Sequence, residues 1–208
     1  MHIIVFGATG KTGLEIVKQA LEKGHHVTAF VRDLKKLDIT HAHLKVTRGD
    51  VMDLESLDAA MKGQEVVLCA LGAGSSLKKT TIRTTGTRHI LASMKKHNVK
   101  RLLVVSAMGI GESWHTLSFF NKLFLATLLK NTRADHEAQE KLVKDSTLDW
   151  TIVRPSGLMD TPKSDDYVVG EAIRAKNSKI SRADVASWML KIISDQDSIG
   201  KALTITKA

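Results

Sequence analysis

Several residue types are scarce in this chain of 208 residues, and each scarcity excludes a class of protein. The single cysteine, Cys69, excludes a disulfide framework and a cysteine-based zinc site, and its apolar neighbours indicate a buried strand in a reducing compartment. No apolar run reaches the roughly 18 residues that a membrane span requires, and residues 2–6 lead straight into a glycine turn. We therefore predict a cytoplasmic protein with no signal peptide, no membrane partner and no bound metal.

Acidic residues are missing from one long block. Between Val66 and Gly111 there is no Asp or Glu, whereas eight of the 31 Lys and Arg residues fall there. The other 23 basic residues nearly balance the 22 acidic ones, so this block carries almost all of the net charge of +9. It is either a solvated helix face or a field that attracts cofactor phosphates, a carboxylate-bearing substrate or, least favoured, nucleic acid. The eight residues are Lys78, Lys79, Arg83, Arg88, Lys95, Lys96, Lys100 and Arg101.

Short apolar runs alternate with amphipathic stretches along the chain, and this alternation predicts an α/β fold with a parallel sheet and right-handed crossovers. Continuously apolar runs such as "RLLVVSA" are typical of strands covered on both faces. The predicted strands are His2–Phe6, His26–Val31, Leu44–Thr47, Glu65–Leu71, Arg101–Ser106, Trp150–Val153 and residues 202–206. Helical patterns lie near 12–23, 53–62, 80–97, 132–146 and 180–195, and residues 161–170 are predicted to form a polar loop.

Three glycines, Gly7, Gly10 and Gly13, follow the first predicted strand and open the first predicted helix. In this pattern the first glycine allows a tight turn, the second lets the backbone approach a pyrophosphate, and the third lets the helix pack on the strand. The helix N-terminus then presents N–H groups and its positive dipole end to phosphates. A glycine turn without a ligand is the alternative, but the strand, turn and helix together favour a dinucleotide site.

The position nineteen residues after Gly13 bears on which dinucleotide binds. Sites specific for NAD place an acid there to bind the ribose 2′-hydroxyl, whereas this chain has Arg32, which suits a 2′-phosphate. Asp33 follows directly, and a shift of one residue would reverse the preference. We interpret Asp33 as the N-cap of the short turn after it. The sequence therefore favours NADPH over NADH.

The runs "VFGATGKTG", "VRD", "GDVMD", "RLLVVSAMG", "LDWTIVRPSGL" and "ISRADVA" resemble the atypical short-chain dehydrogenase/reductase family over nearly the full chain. The compact length and the opening "FGATGKTGLE" are most similar to its flavin reductase and biliverdin-IXβ reductase group. The resemblance implies a Rossmann-like, doubly wound parallel sheet in a single domain over residues 1–208, with a short C-terminal substrate lobe. Its substrate-side elements would be residues of about 107–135 and 155–181.

The resemblance also implies roles for individual residues, all near the carboxyl ends of predicted strands, where open α/β sheets bind ligands. The phosphates would be held by Gly7, Thr9, Gly10, Lys11, Thr12 and Gly13, and the 2′-phosphate by Arg32. Asp50 and Val51 would border the adenine, Leu71 and Gly72 the ribose, and Ser106, Pro155, Ser156 and Leu158 the nicotinamide. The substrate would contact Ala107, Met108, Trp114, Phe120 and Met159.

Tyrosine is nearly absent, and this separates the chain from ordinary members of that family. They use a Tyr-x-x-x-Lys pair as proton donor, whereas here Thr132 and His136 would occupy the two positions when Glu140 is placed on the family's following glutamate. The lone tyrosine, Tyr167, is interpreted as a packing residue. Reversible alcohol oxidation, which needs that acid, is therefore not expected, and the flavin and biliverdin reductase group also lacks the pair.

Ser106 and His136 are the candidate catalytic residues. Ser106 could donate a hydrogen bond to substrate or nicotinamide, or could only cap a strand end. His136 could donate a proton or pair with a carboxylate, or could be a solvated histidine beside Asp135 and Glu137. The aromatic segment 112–130 could be a lid on a flat substrate, or a helix packed in the core or on a partner subunit.

The expected function is NADPH-dependent reduction of a flat conjugated acceptor, with FMN, FAD or a biliverdin-like tetrapyrrole as substrate. Hydride would come from the nicotinamide and the proton from solvent. Two alternatives stay open: a regulatory protein that senses NADP(H) without turnover, and an epimerase or isomerase of the same superfamily, which the missing tyrosine disfavours. The partner would be a small aromatic acceptor, and the protein a monomer or homodimer.

Overall fold

The structure is a computed structural model that describes residues 1–74, 78–171, 173–174 and 179–208, without the side chains of Phe120, Asn121 and Phe124. Within these ranges, no helix combines the length and the apolar character needed to cross a membrane.

A central sheet of eight strands organises the fold. Seven of them run parallel in the order β3-β2-β1-β4-β5-β6-β10, and β8 pairs antiparallel with β10 at one edge. This arrangement confirms the predicted doubly wound parallel sheet. A second, two-stranded sheet joins β7 and β9. The strands are β1 His2–Phe6, β2 His26–Val31, β3 Leu44–Arg48, β4 Val66–Cys69, β5 Arg101–Val105, β6 Asp149–Pro155, β7 Gly157–Met159, β8 Tyr167–Gly170, β9 Lys179–Ser181 and β10 Lys201–Lys207.

Helices cover both faces of the central sheet and divide the core in two. Ile3 and Val5 of β1 belong to one core cluster, and Ile4 and Phe6 to the other, as expected for a strand buried on both faces. The first cluster packs beneath α1 and α6, and the second beneath α2, α3 and α5. The helices are α1 Lys11–Glu22, α2 Leu54–Met61, α3 Ile82–Lys96, α4 Phe119–Thr127, α5 Lys130–Lys144 and α6 Arg182–Lys191.

Two segments differ from the sequence-based expectation. The loop predicted over 161–170 is wrong for its last part, because residues 167–170 form β8 and pair with residues 204–207 of β10. Pairing with a neighbouring strand satisfies their backbone groups, and local polarity does not reveal it. The aromatic segment contains the helix α4, in which Phe119 and Leu123 are exposed, so burial of the whole segment in the core is wrong.

Two arginines of the basic block are buried and do not contribute to a surface field. Arg101 donates from Nε to the Ile193 carbonyl and from Nη2 to the Ile192 carbonyl, each at 2.9 Å. It also donates from Nη1 to Thr151 Oγ1 at 2.8 Å. Arg101 therefore satisfies carbonyls at the C-terminus of α6, where a cation is favourable. Arg83, the second, lies at the start of α3.

Candidate functional site

The parallel strands bring the predicted site residues to one edge of the sheet. Gly7, Arg32 and Ser106 each follow the last residue of a strand, namely β1, β2 and β5. Leu71 comes two residues after β4, and Ser156 directly after β6. Because these strands run in the same direction, all five residues lie at the carboxyl edge, where open α/β folds bind their ligands.

The glycine turn has the geometry that a phosphate loop requires. Gly7 has a φ of +78°, and a Cβ there would lie 2.4 Å from the Ala70 carbonyl oxygen. A Cβ on Gly13 would lie 2.1 Å from the Gly7 oxygen, so only glycine allows the helix to approach the turn this closely. Gly10 is the N-cap of α1 and provides no side-chain cap, which leaves the first N–H groups of α1 to a ligand. The turn therefore fits a dinucleotide pyrophosphate.

Lys11, a predicted phosphate ligand, is exposed and joined to the C-terminal part of the chain. Its Nζ donates to Asp160 Oδ2, and Asp160 Oδ1 also accepts a hydrogen bond from Arg182 Nη1 at 2.5 Å. The hydrogen bond from Lys11 is the main reason that the pKa of Asp160 is lowered. A carboxylate thus neutralises the lysine beside the phosphate loop.

The structure distinguishes Arg32 from Asp33. Asp33 Oδ1 accepts a hydrogen bond from the Lys35 N–H at 3.0 Å, so Asp33 caps the 3₁₀ turn Leu34–Lys36 and the N-cap interpretation is confirmed. Arg32 is exposed at the carboxyl edge, and within the described ranges no carboxylate pairs with its side chain. The arginine is therefore the group available to a ligand at this position.

Of the residues assigned to adenine and ribose, Val51 and Leu71 are buried, Asp50 is half-buried and Gly72 is exposed. Asp50 Oδ1 accepts a hydrogen bond from the Met52 N–H at 3.0 Å, which fixes the turn after β3. The side chains of Val51 and Leu71 are buried against Gly86, where a Cβ would lie 3.0 Å from Val51 Cγ2 and 2.8 Å from Leu71 Cδ1. Gly86 therefore allows α3 to pack tightly behind this part of the edge.

Ser106 is buried and belongs to an ionic network that the sequence did not reveal. Its Oγ donates to Glu140 Oε1 at 2.7 Å, and Glu140 accepts hydrogen bonds from Arg154 at 2.9 Å (Nε) and 2.5 Å (Nη2). Arg154 is fully buried on β6 and also donates to Glu112 Oε2 at 2.7 Å. The signal that could have predicted this network is an arginine within the apolar run of β6, since a buried charge requires a partner.

His136 lies beside Ser106 on α5, with its Nδ1 3.5 Å from the Ser106 Oγ. Only 6% of it is exposed, so the alternative of a solvated histidine is wrong. Burial, reinforced by the charge of Arg83, lowers the pKa of His136 to about 3. At neutral pH the ring is therefore uncharged, and it cannot act as a cationic acid or pair as a cation with a carboxylate.

Asp135 holds the start of α3 next to this site. Its carboxylate accepts hydrogen bonds from the backbone N–H of Arg83 at 3.2 Å, the N–H of Thr84 at 3.0 Å and the Thr84 hydroxyl at 2.7 Å. The Arg83 guanidinium lies 3.5 Å from the same carboxylate, measured from Nη1 to Oδ2. The capping acid of α3 thus comes from α5, and local sequence could not show it.

The predicted nicotinamide-side residues after β6 are mostly buried. Pro155 accepts a hydrogen bond from the Met108 N–H at 2.9 Å, which ties the chain after β5 to the end of β6. Ser156 is buried, and its Oγ has no hydrogen-bond partner in the described part of the chain. Leu158, on β7, packs against the core.

The predicted substrate residues that the structure describes have different surroundings. Ala107 and Met108 are half-buried at the edge, whereas Met159 lines a groove of about 720 Å³ together with Lys11 and Asp160. Trp114 is half-buried beneath the Arg133 guanidinium, which lies 4.0 Å from the ring centroid. The side chain of Phe120 lies outside the described residues.

Tyr167 is half-buried on β8 opposite Lys207 and packs against the core, which agrees with its interpretation as a packing residue. Among the described residues, no group of three or more His, Cys, Asp or Glu side chains could hold a metal ion.

Comparison with known proteins gives several relatives that span nearly the whole chain. An uncharacterised chloroplastic protein of Arabidopsis thaliana, At2g34460, is 29% identical over 98% of this chain and 75% of its own length. The uncharacterised protein YwnB of Bacillus subtilis is 27% identical over 99% of this chain and 98% of its own length. The uncharacterised sugar epimerase YhfK of the same organism is 24% identical over 100% of this chain and 94% of its own length.

Solved structures share the fold. The oxidoreductase ylbE of Lactococcus lactis superposes with a TM-score of 0.86 at 19% identity, over 100% of this chain and 91% of that chain. A short-chain dehydrogenase/reductase of Veillonella parvula, in complex with NADP, has a TM-score of 0.85 at 18% identity, over 99% and 94%. The anaerobilin reductase ChuY of Escherichia coli O157:H7 has a TM-score of 0.82 at 21% identity, over 100% and 97%.

The model of one protein family, described as NAD(P)H-binding, matches residues 7–196, from the glycine turn to beyond α6. This range contains every predicted cofactor residue and the whole carboxyl edge described above. The protein belongs to this NAD(P)H-binding family, and its fold is Rossmann-like.

Proposed function

We propose that this protein is an NADPH-dependent reductase that transfers hydride to a flat, conjugated acceptor, a flavin or a biliverdin-like tetrapyrrole. The observation that carries the proposal is the environment of His136. The histidine is buried and neutral. By the family resemblance, His136 would occupy the position of the lysine in the acid pair of ordinary dehydrogenases, and Thr132 that of the tyrosine. Alcohol oxidation and carbonyl reduction need such an acid, whereas a conjugated π system can accept hydride before it is protonated.

The roles of the residues follow from their positions. The N–H groups at the start of α1 would bind the pyrophosphate, and the exposed Arg32 would bind the 2′-phosphate through a charge-assisted hydrogen bond. Once bound there, the nicotinamide supplies the hydride. Ser106, fixed by Glu140, would position the reactants at the end of β5. Water would supply the proton.

The comparisons support the reductase class more than the choice of acceptor. A structural neighbour is crystallised with NADP, which agrees with the predicted cofactor. ChuY is named as an anaerobilin reductase, which is the reason to include a bilin among the acceptors tested. The relative named as a sugar epimerase keeps isomerisation as the main competing chemistry within the fold.

The test is oxidation of NADPH, followed by absorbance, with FMN, FAD and biliverdin as acceptors and NADH as the alternative donor. The expected result is turnover with at least one of these acceptors and none with simple secondary alcohols and NADP⁺. Oxidation of such alcohols would contradict the proposal. Tight NADPH binding without turnover of any acceptor would favour the regulatory alternative, and sugar isomerisation without net NADPH consumption would favour the epimerase.

A further inference from the structure

Arg83 and Arg101 are both buried, but only one of them is satisfied by the protein. In Arg101, Nε, Nη1 and Nη2 all donate hydrogen bonds. In Arg83, which is 8% exposed, Nε and Nη1 have no hydrogen-bond acceptor among the described residues. Buried donors without acceptors are rare in native proteins and destabilise them. Arg101 is thus a structural arginine, whereas two N–H donors of Arg83 remain free to bind a ligand.

Asp135 does not accept a hydrogen bond from Nε or Nη1 of Arg83. The 3.5 Å between Arg83 Nη1 and Asp135 Oδ2 exceeds a normal N–H···O distance, so the pair is an ion contact without a hydrogen bond. The Asp135 oxygens are already engaged by two backbone N–H groups and one hydroxyl at the start of α3. Asp135 therefore balances the charge of Arg83 without satisfying its donors.

The guanidinium reaches the carboxyl edge of the sheet. Its Nη2 lies 3.4 Å from the position that a Cβ on Gly72 would occupy, and Gly72 is exposed just after β4. Its Nη1 lies 3.5 Å from Asp135 of α5, and the next residue, His136, lies beside Ser106 at the end of β5. Arg83 is therefore placed between the ends of the adjacent strands β4 and β5, next to the candidate catalytic residues. The glycine turn follows β1, which lies on the other side of β4.

The local charge decides what Arg83 can bind there. Because Asp135 already balances the charge of Arg83, the free donors do not require a ligand that is charged when it binds. A neutral carbonyl oxygen or ring nitrogen can accept their hydrogen bonds. When hydride adds to a conjugated acceptor, its electron pair forms the new bond, and the π pair that it displaces moves negative charge onto that oxygen or nitrogen. A guanidinium then interacts more strongly with the product than with the substrate.

We propose that Arg83 stabilises the negative charge that develops on the conjugated acceptor as hydride arrives, and so replaces the missing tyrosine acid by electrostatics. The new C–H or N–H bond takes both electrons of the hydride, the nicotinamide is oxidised, and the acceptor becomes an anion. Water protonates this anion afterwards. Preorganised donors aimed at developing charge are among the largest contributions to enzymatic rates. The inference rests on the proposed function for the identity of the acceptor.

The experiment compares Arg83→Gln, Arg83→Lys and, as a matched control, Arg88→Gln, an exposed arginine on the same helix. With FMN as acceptor, we expect kcat to fall about 100-fold in Arg83→Gln, the lower end for loss of one such donor. The NADPH Kd should change by less than about twofold, because Arg83 is proposed to act on the acceptor during hydride transfer and not on the bound cofactor. Arg88→Gln should behave as wild type. Arg83→Lys keeps a charge beside Asp135, so it should fold even if Arg83→Gln does not, and should lose about tenfold in kcat because the planar fork is missing.

A second measurement does not depend on turnover. The wild-type protein should bind reduced, anionic FMN at least tenfold more tightly than oxidised FMN, and the Arg83 variants should lose that difference. An unchanged kcat with a raised KM for FMN would overturn the inference, as would an equal affinity of the wild type for the two forms of FMN. If no acceptor is turned over but the wild type prefers reduced FMN and the Arg83 variants do not, the proposed function fails while Arg83 remains the group that favours the reduced acceptor.

Discussion

The Ser106 hydroxyl donates its hydrogen to Glu140 Oε1 at 2.7 Å, while the Nδ1 of His136 lies 3.5 Å away. Because the carboxylate can only accept, the hydroxyl hydrogen is committed to Glu140, and only the oxygen lone pairs remain for a ligand. The expectation that Ser106 donates a hydrogen bond to substrate or nicotinamide therefore does not fit this structure. Ser106 is placed to accept a hydrogen bond, for example from an amide N–H.

Glu140 should be important for stability, and its neighbour Glu112 should not. In Glu140→Gln, the fully buried Arg154 loses its buried counter-charge, and we expect the free energy of unfolding to fall by about 3 kcal/mol. In Glu112→Gln, the lost carboxylate is 69% exposed, so the expected change is below about 1 kcal/mol. Urea denaturation of both variants measures the difference. Equal losses of unfolding free energy in the two variants would mean that Glu140 is not the main counter-charge of Arg154.

His136 should matter little for the rate. Because its pKa is lowered to about 3, the ring does not titrate between pH 5 and 8. We expect His136→Ala to reduce NADPH oxidation with FMN by less than about tenfold, outside the range that a general acid supplies, and to leave the pH profile unchanged. A loss of about 10³-fold would instead make the histidine the proton donor. The measurement is kcat across pH for wild type and variant.

Arg32 and Asp33 allow a direct test of the cofactor preference. Arg32→Ala should weaken NADPH binding by about 10- to 100-fold, since a hydrogen bond to a charged group contributes about 1.5–3 kcal/mol, and NADH binding should barely change. Asp33→Ala removes only the cap of the following turn and should leave the ratio of the two affinities unchanged. Isothermal titration with both nucleotides measures this. Equal losses of NADPH and NADH affinity in Arg32→Ala would show that Arg32 does not bind the 2′-phosphate.

The sequence predicts the features that depend on local pattern. The glycine turn and the strands β1 to β6 follow from neighbours along the chain. Contacts such as Asp135 with α3 or Arg154 with Glu140 depend on how α5 docks against other elements. No periodicity encodes that docking, although a charge in an apolar strand indicates that a partner exists.

Asp160 should weaken cofactor binding, because its carboxylate occupies Lys11 beside the phosphate loop. In Asp160→Asn the lysine is released and a negative charge near the pyrophosphate is removed. The pair is exposed and its interaction is weak, so we expect NADPH to bind only up to about fivefold more tightly. The gain should shrink at high salt. Weaker NADPH binding in this variant would indicate instead that Asp160 positions Lys11 for the phosphate.

His136 should make the stability of the protein depend on pH in a defined window. In the folded state its pKa is about 3, whereas an exposed histidine in the unfolded chain titrates near 6.5. Between these values the unfolded state binds the extra proton, so the free energy of unfolding falls as pH falls. One such proton corresponds to about 1.4 kcal/mol per pH unit. The stabilisation is fully present above pH 6.5 and is lost as pH decreases toward 3.

The variant His136→Gln isolates this effect, because glutamine is polar but does not titrate. Most carboxylates stay ionised above pH 5, so the window from pH 5 to 6.5 reports mainly on histidines. The pKa values of His25 and His26 are also lowered, but both side chains are more exposed and remain in the variant as an internal control. Urea denaturation of wild type should show stability declining through this window, and His136→Gln should show a markedly shallower decline. Equal slopes in the two proteins would mean that His136 is protonated in the folded state, and would return it to consideration as a proton donor.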